Sequence, residues 1–205
     1  MSTSNLNKQG SEYEGSVLSY PKKSWARWHN TYTVMSSYTI LKIHDESGNS
    51  VEFKIDTEDL LLCLESYWYY KLGGKGNKYY CQRTVTVCGR RPFKKVKTVF
   101  LHKEVFGDHS NDLDHINRDS TDNRKSNLRE ASKSQNMANI VLINKSSGLP
   151  VGAYPHLKRF RSFIILSGKR VNLGMFDSAE EASSAWKKAH SNFYKKFSPY
   201  YGDVL

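Results

Sequence analysis

Between Asp112 and Asn139 the chain reads DLDHINRDSTDNRKSNLREASKSQNMAN, a run crowded with metal-capable and proton-transferring side chains. Hydrolysis of a phosphodiester needs two things that such a run can supply. One is a base that takes a proton from water near neutral pH, which a neutral imidazole does because its pKa lies near ~6.5. The other is a hard divalent cation, held by oxygen ligands, that neutralises charge on the phosphate and on the departing oxygen. Asp114 and His115 are adjacent and bracketed by the apolar Leu113 and Ile116. Neighbouring strand residues point to opposite sides, so this pair serves one site only where the backbone turns. Asn117–Asn123 is a loop by composition. Asp119 and Asp122 read as closing that loop through its own backbone rather than as ligands. Ser132 and Gln135 have the spacing of a capping box, which starts a helix and puts Asn136 and Asn139 on one face of it. Loops rich in Asp, Asn and Ser are usually plain turns, and a lone Asp-His pair carries almost no weight.

The spacing lifts the run above that. Asp114-His115, an Asn-Leu pair at Asn127 12 residues after the His, a helix Asn at Asn136 21 residues after it, and the string DNRKSNLR stand together. This set resembles the HNH nuclease motif, a ββα-metal unit, in the form found in phage and intron homing endonucleases. The resemblance implies His115 as general base, Asp114 and Asn136 as metal ligands, and Asn127 as the residue that pins the loop between the motif strands by hydrogen bonding. The implied cofactor is a divalent metal, Mg²⁺ ahead of Mn²⁺. Leu101-His102 also matches the family form, so His102 is a candidate for touching the phosphate or supporting the site, with a packed or capping histidine as the alternative. Arg124 and Arg129 are candidates for phosphate contacts, against solvated surface arginines. Where the family form continues Leu-His-Arg, this chain has Lys103 and Glu104, and lysine offers no bidentate contact.

The elements that must position this run are mostly strands. Thr31–Ile43 is rich in β-branched and aromatic residues, the cluster at 45–49 turns it, and Val51–Ile55 alternates apolar with polar. Asp56 or Thr57 caps a short helix reaching about Ser66, with Glu58 and Asp59 in its first turn. Trp68–Tyr70 and Tyr79–Val87 flank a glycine-rich turn, and Lys95–Leu101 supplies another strand. That turn lacks the spacing and the following helix of a phosphate-binding loop and reads as a hairpin connection. The aromatic cluster Tyr67–Tyr70 reads as core in preference to a base-stacking platform.

Beyond a polar, turn-rich junction at Asn144–Pro150 the rhythm changes. Val151–Tyr154, Phe160–Leu166 and Arg170–Phe176 read as three strands, with a hairpin turn at Ser167-Gly168. Ser178 and Glu181 form a second capping box before an apolar stripe of Ala182, Ala185, Trp186, Ala189 and Phe193. Lys158, Arg159, Arg161, Lys169, Arg170 and Asn172 make one sheet face positive, while Phe163 and Ile165 are expected to face the helix. Basic strands can lie in a major groove, with Arg or Asn on base edges. The string VNLGMFDSAEEASSAW, within Ser146–Tyr194, resembles the DNA-binding domain of plant ethylene-response factors. Asn172 stands where plant members usually have Trp, so their base preferences do not transfer.

Composition bounds the rest. Thirty-one Lys and Arg against 20 Asp and Glu leave +11, with +5 over residues 1–143 and +6 over 144–205. Such an excess draws polyanions, nucleic acid first and an anionic membrane surface second. No apolar run approaches the ~20 residues of a bilayer span, no secretory core opens the chain, and three cysteines without a CxxC pair argue against a disulfide framework or a zinc ribbon. The expected architecture is α+β: a β-rich region over 1–100, an HNH ββα-metal unit over 101–143, and over 144–205 a three-stranded antiparallel sheet packed on one helix. The expected function is site-directed, metal-dependent cleavage of double-stranded DNA, as in a phage or mobile-element homing endonuclease. The chain is expected in the cytoplasm of a bacterial host, off the membrane, as a monomer or weak dimer. The alternative is a DNA-binding regulator whose HNH unit is vestigial.

Overall fold

The computed structural model describes residues 17–19, 30–73, 78–89, 94–142 and 148–202. The opening ten residues, the centre of the glycine-rich turn and most of the 144–150 junction lie outside them. The fold is α+β and divides into two compact units, Met1–Glu130 and Ala131–Leu205.

The first unit begins with an antiparallel four-stranded meander of β1 (Val17–Ser19), β2 (Thr31–Val34), β3 (Thr39–His44) and β4 (Ser50–Ile55). Alternation sets which side is buried: Tyr32, Val34, Leu41, Ile43, Phe53 and Ile55 all enter one core. A 3-10 turn at Thr57–Asp59 runs into α1 (Leu60–Leu64). The Cys63 carbonyl at the end of α1 accepts hydrogen bonds from the Tyr32 hydroxyl (3.1 Å) and the Trp68 indole (3.0 Å). Trp68 is fully buried, which makes it core. A second antiparallel sheet follows, β5 (Tyr69–Gly73), β6 (Lys78–Cys88) and β7 (Lys95–Phe100). Then come α2 (Leu101–Phe106) and a two-stranded sheet of β8 (Asp112–His115) and β9 (Leu128–Ala131). Leu101 and Val105, one helical turn apart, and Leu128 join the core of the β-rich region, so α2 and β9 share one interior with that region.

The second unit holds α3 (Lys133–Ala138), an antiparallel sheet of β10 (Tyr154–His156), β11 (Arg159–Leu166) and β12 (Lys169–Phe176), and α4 (Ala179–Tyr194). Both helices start on the capping boxes read from the sequence, Ser132 with Gln135 and Ser178 with Glu181. Ser167 and Gly168 both have positive φ (50° and 77°), the twist a two-residue hairpin needs. Residues 151–152 form a turn instead of the expected strand start. Gly152 has φ +79°, and a Cβ there would lie 2.2 Å from Trp186, so the backbone passes against the indole. A small core of Ala153, Ala179 and Ala182 with Leu149, Phe160 and Phe176 joins sheet and helix.

One expectation is reversed. Ser162 and Ile164 are buried, whereas Phe163 is half-buried and Ile165 is 61% exposed. Phe163 and Ile165 therefore share the outer face with Arg159 and Arg161, as two-residue periodicity requires.

Candidate active site

β8 delivers the two central side chains. Leu113, Asp114 and His115 are all buried, while Ile116, the second apolar residue bracketing the pair in the sequence, is exposed. Asp114 and His115 leave the strand toward different partners. Asp114 Oδ2 accepts from Arg129 Nε (2.9 Å) and Nη2 (2.7 Å) across the two-stranded sheet. His115 Nε2 lies 3.2 Å from Asn123 Oδ1. The Asn123 amide nitrogen donates to the Thr121 carbonyl (3.2 Å), which turns its oxygen toward the imidazole. An amide oxygen only accepts, so Nε2 carries the proton and Nδ1 is the basic nitrogen.

Burial holds the His115 pKa below its ordinary value, while the Asn123 hydrogen bond and the Asp114 charge pull the other way. His102, on the buried side of α2, stands edge-on to His115 with ring centroids 5.3 Å apart. Its pKa is lowered to about 3, first by burial and then by the charge His115 would carry. Both imidazoles are thus neutral at neutral pH. Phe100 and Tyr80 complete a ring cluster around His102, at 5.6 Å and 6.3 Å.

The loop between the motif strands is held from inside and outside. Asn127 Oδ1 accepts from the Asn117 N–H (3.0 Å), and its Nδ2 donates to the Asp122 carbonyl (2.7 Å). The Ile116 N–H donates to the Asn127 carbonyl (2.8 Å). Asp119 accepts from the N–H and hydroxyl of Thr121, an Asx turn that closes the loop tip. From outside, the Lys54 N–H donates to the Thr121 carbonyl and the Asn123 N–H to the Lys54 carbonyl, both at 2.8 Å. The Ser120 hydroxyl donates to the Tyr79 carbonyl (2.7 Å). Asp56 makes no cap to the helix it precedes; its carboxylate accepts the Lys125 N–H (2.7 Å) instead. Lys125 Nζ also reaches Glu58 (2.7 Å) and Asp59 (2.9 Å). Lys54, Asp56, Glu58, Asp59 and Tyr79 therefore hold the loop from outside.

Both arginines read as phosphate contacts are engaged by acids. Arg124 makes a two-point contact with Asp122, Nε to Oδ1 at 2.8 Å and Nη2 to Oδ2 at 2.7 Å, with its side chain 33% exposed. Arg129 holds Asp114 with a side chain 12% exposed. Asn136 lies half-buried on α3 of the second unit, in the turn capped by Ser132. Asn123, 2% exposed, is the site residue that sequence reasoning missed; its signal was its place beside Asp122 and Arg124 in the motif string.

On the second unit the outer sheet face carries Arg159, Arg161, Arg170 and Asn172, while Lys158 and Lys169 sit at the hairpin turns. Phe163 stacks on Tyr154 (4.4 Å), and the Arg170 guanidinium lies 3.6 Å from the Phe163 ring centroid. Arg159 pairs with the exposed Asp177, and Asn172 Oδ1 accepts from the Gly174 N–H (3.3 Å).

Among the described residues no group of three or more His, Cys, Asp and Glu side chains converges on a common point. The oxygen donor nearest His115 in sequence, the Asp114 carboxylate, is buried and held by Arg129, and carboxylate oxygen is the donor type a hard cation takes. No family model matches this chain, and no curated protein or solved structure matches it.

Proposed function

We propose that the chain is a metal-dependent endonuclease of the HNH type acting on double-stranded DNA. The observation that carries this is His115: buried, neutral, next to Asp114, and fixed by Asn123 in the tautomer that leaves Nδ1 basic. Such an imidazole can take the proton of an attacking water without first losing one of its own. Asp114 supplies a hard oxygen ligand. A bound Mg²⁺ would offset charge on the phosphate and the departing oxygen. Asn127 holds the loop on which Asn123 and hence His115 depend. His102, edge-on to His115, packs against one side of the base. The outer face of β10–β12 supplies affinity through Arg159, Arg161, Arg170 and Asn172, and confines cleavage to DNA already held nearby. A phage or mobile-element setting fits the family resemblance. No described helix is long and apolar enough to cross a membrane.

The Asp114–Arg129 pair favours a second reading, since a carboxylate already neutralised has less need of a cation. On that reading the chain is a DNA-binding regulator with a vestigial nuclease unit. Plasmid cleavage in Mg²⁺ or Mn²⁺ decides. His115→Ala and Asp114→Ala should each lower cleavage by roughly 10²-fold or more while duplex binding persists. Equal cleavage by wild type and His115→Ala removes the assignment of the base, and no cleavage by wild type in either metal leaves the regulator.

A further inference from the structure

The strongest unassigned feature is the far end of the β5–β7 sheet. Between Ser66 and Lys103 the sequence has ten Lys and Arg and no Asp or Glu, nearly the whole +11 excess of the chain. β5 pairs only with Lys78–Gln82, so beyond Arg83 the residues Thr84–Cys88 pair with Lys95–Thr98 alone, as a two-stranded ribbon. Val87 is 63% and Val96 54% exposed, and Thr84, Thr86, Cys88, Lys95, Lys97 and Thr98 are exposed too. Val85 is half-buried, but from Thr86 to Cys88 and from Lys95 to Thr98 successive residues are exposed, and since successive side chains alternate between faces that part of the ribbon packs on neither. A bare two-stranded ribbon is marginally stable in water, and these valines gain nothing from burial. Among the described residues no carboxylate pairs with Lys94, Lys95 or Lys97.

Each of these features fits one occupant. A DNA groove is lined by phosphates, and the major groove is wide enough for a two-stranded β-ribbon. The register shift between Thr86 and Cys88 adds the twist such a fit requires. We propose that the ribbon Thr84–Cys88/Lys95–Thr98 seats in a groove of duplex DNA, with Lys94, Lys95 and Lys97 on phosphates and the threonines against the groove floor. This rests on the nuclease reading for the choice of DNA, and needs no cleavage. β7 runs without a break into α2, so a seated ribbon is continuous with the element that carries His102.

Cys88 provides the test. It is exposed, whereas Cys63 and Cys81 are buried, and burial pushes both of their thiols up, that of Cys63 to about 12. Since the thiolate is the nucleophile, a thiol reagent reads Cys88 alone. The full chain is treated with such a reagent in EDTA, with and without a random-sequence DNA duplex whose binding is followed by fluorescence anisotropy. With duplex at ten times its Kd, mass action predicts modification slowed about tenfold. Lys95→Ala/Lys97→Ala should flatten the slope of log affinity against log salt by about 2, at ~0.9 per phosphate. Unchanged Cys88 reactivity on fully bound DNA overturns the proposal, as does protection by single-stranded RNA that the duplex does not give. Protection on DNA by a chain that cuts nothing in Mg²⁺ supports the ribbon while removing the nuclease reading. Cleavage with Cys88 unprotected does the reverse.

Discussion

The motif loop and the C-terminal sheet both present polar side chains, but they do so on opposite terms. In the loop Ser120, Asp122, Asn123 and Asn127 are all buried, and each has a named hydrogen-bond partner. On the sheet Arg161 and Arg170 are exposed, and the interior beneath is small and apolar, built on Ala153, Ala179 and Ala182. Buried polar groups are costly unless satisfied, so the loop has one geometry and loses much when a single partner goes. Exposed guanidiniums lose little when replaced, because water already screens them. The proposed chemistry would draw on the first arrangement, and the proposed recognition of a polyanion on the second.

That contrast breaks most sharply at its packing exception. Gly152→Ala combines positive φ with overlap on Trp186 and should destabilise the second unit by about 2–5 kcal/mol, read as loss of hydrogen-exchange protection in α4 with α2 unaffected. In the loop, Asn127→Ala leaves the buried Asp122 carbonyl without its donor. It should cost about 1–3 kcal/mol, with cleavage falling along with thermal stability. A rise in stability would show that the loop is not held as described.

Acid sharpens the comparison next. His190 is buried in the second unit, its Nδ1 2.8 Å from the Ser198 hydroxyl, and burial lowers its pKa to about 4. The unfolded histidine binds a proton near ~6.5, so between these values the unfolded state holds more protons and stability rises with pH. Its contribution is complete above about pH 6.5 and is lost as pH falls toward 4. Hydrogen exchange of α4 across that window should quicken with acid, and His190→Gln should flatten the dependence. The smallest effect belongs to Arg161→Ala, which should leave the melting temperature unchanged and reduce the salt slope of duplex binding by about 1.

How much of this was legible varies by element. Both capping boxes were, because they are contacts over three residues. Val51–Ile55 was legible from alternation, whereas Thr31–Ile43, read from composition as one β-rich run, is two strands, β2 and β3, broken at 35–38. The orientation of β11 went the wrong way because Phe163–Leu166 is an unbroken apolar run. There only the phase set by Arg159 and Arg161 distinguishes the faces, and Ser162, a hydroxyl, fills a fully buried position. Asp56, read together with Thr57 as a candidate helix cap, serves the Lys125 N–H, 69 residues away, instead. The ribbon was hidden by averaging: residues 1–143 sum to only +5 because acids elsewhere offset a run that has none.

What the chain determines by itself, then, is everything carried by near neighbours: the helix starts, the strand periods, the turn at Ser167-Gly168, and the spacing of Asp114, His115, Asn127 and Asn136. Only the tertiary structure decided which nitrogen of His115 holds the proton, that Asp114 is paired with Arg129, and that Lys54, Asp56 and Tyr79 clamp the loop. Those depend on partners brought together by burial of a common core, and the free energy of that burial is not written in any local pattern.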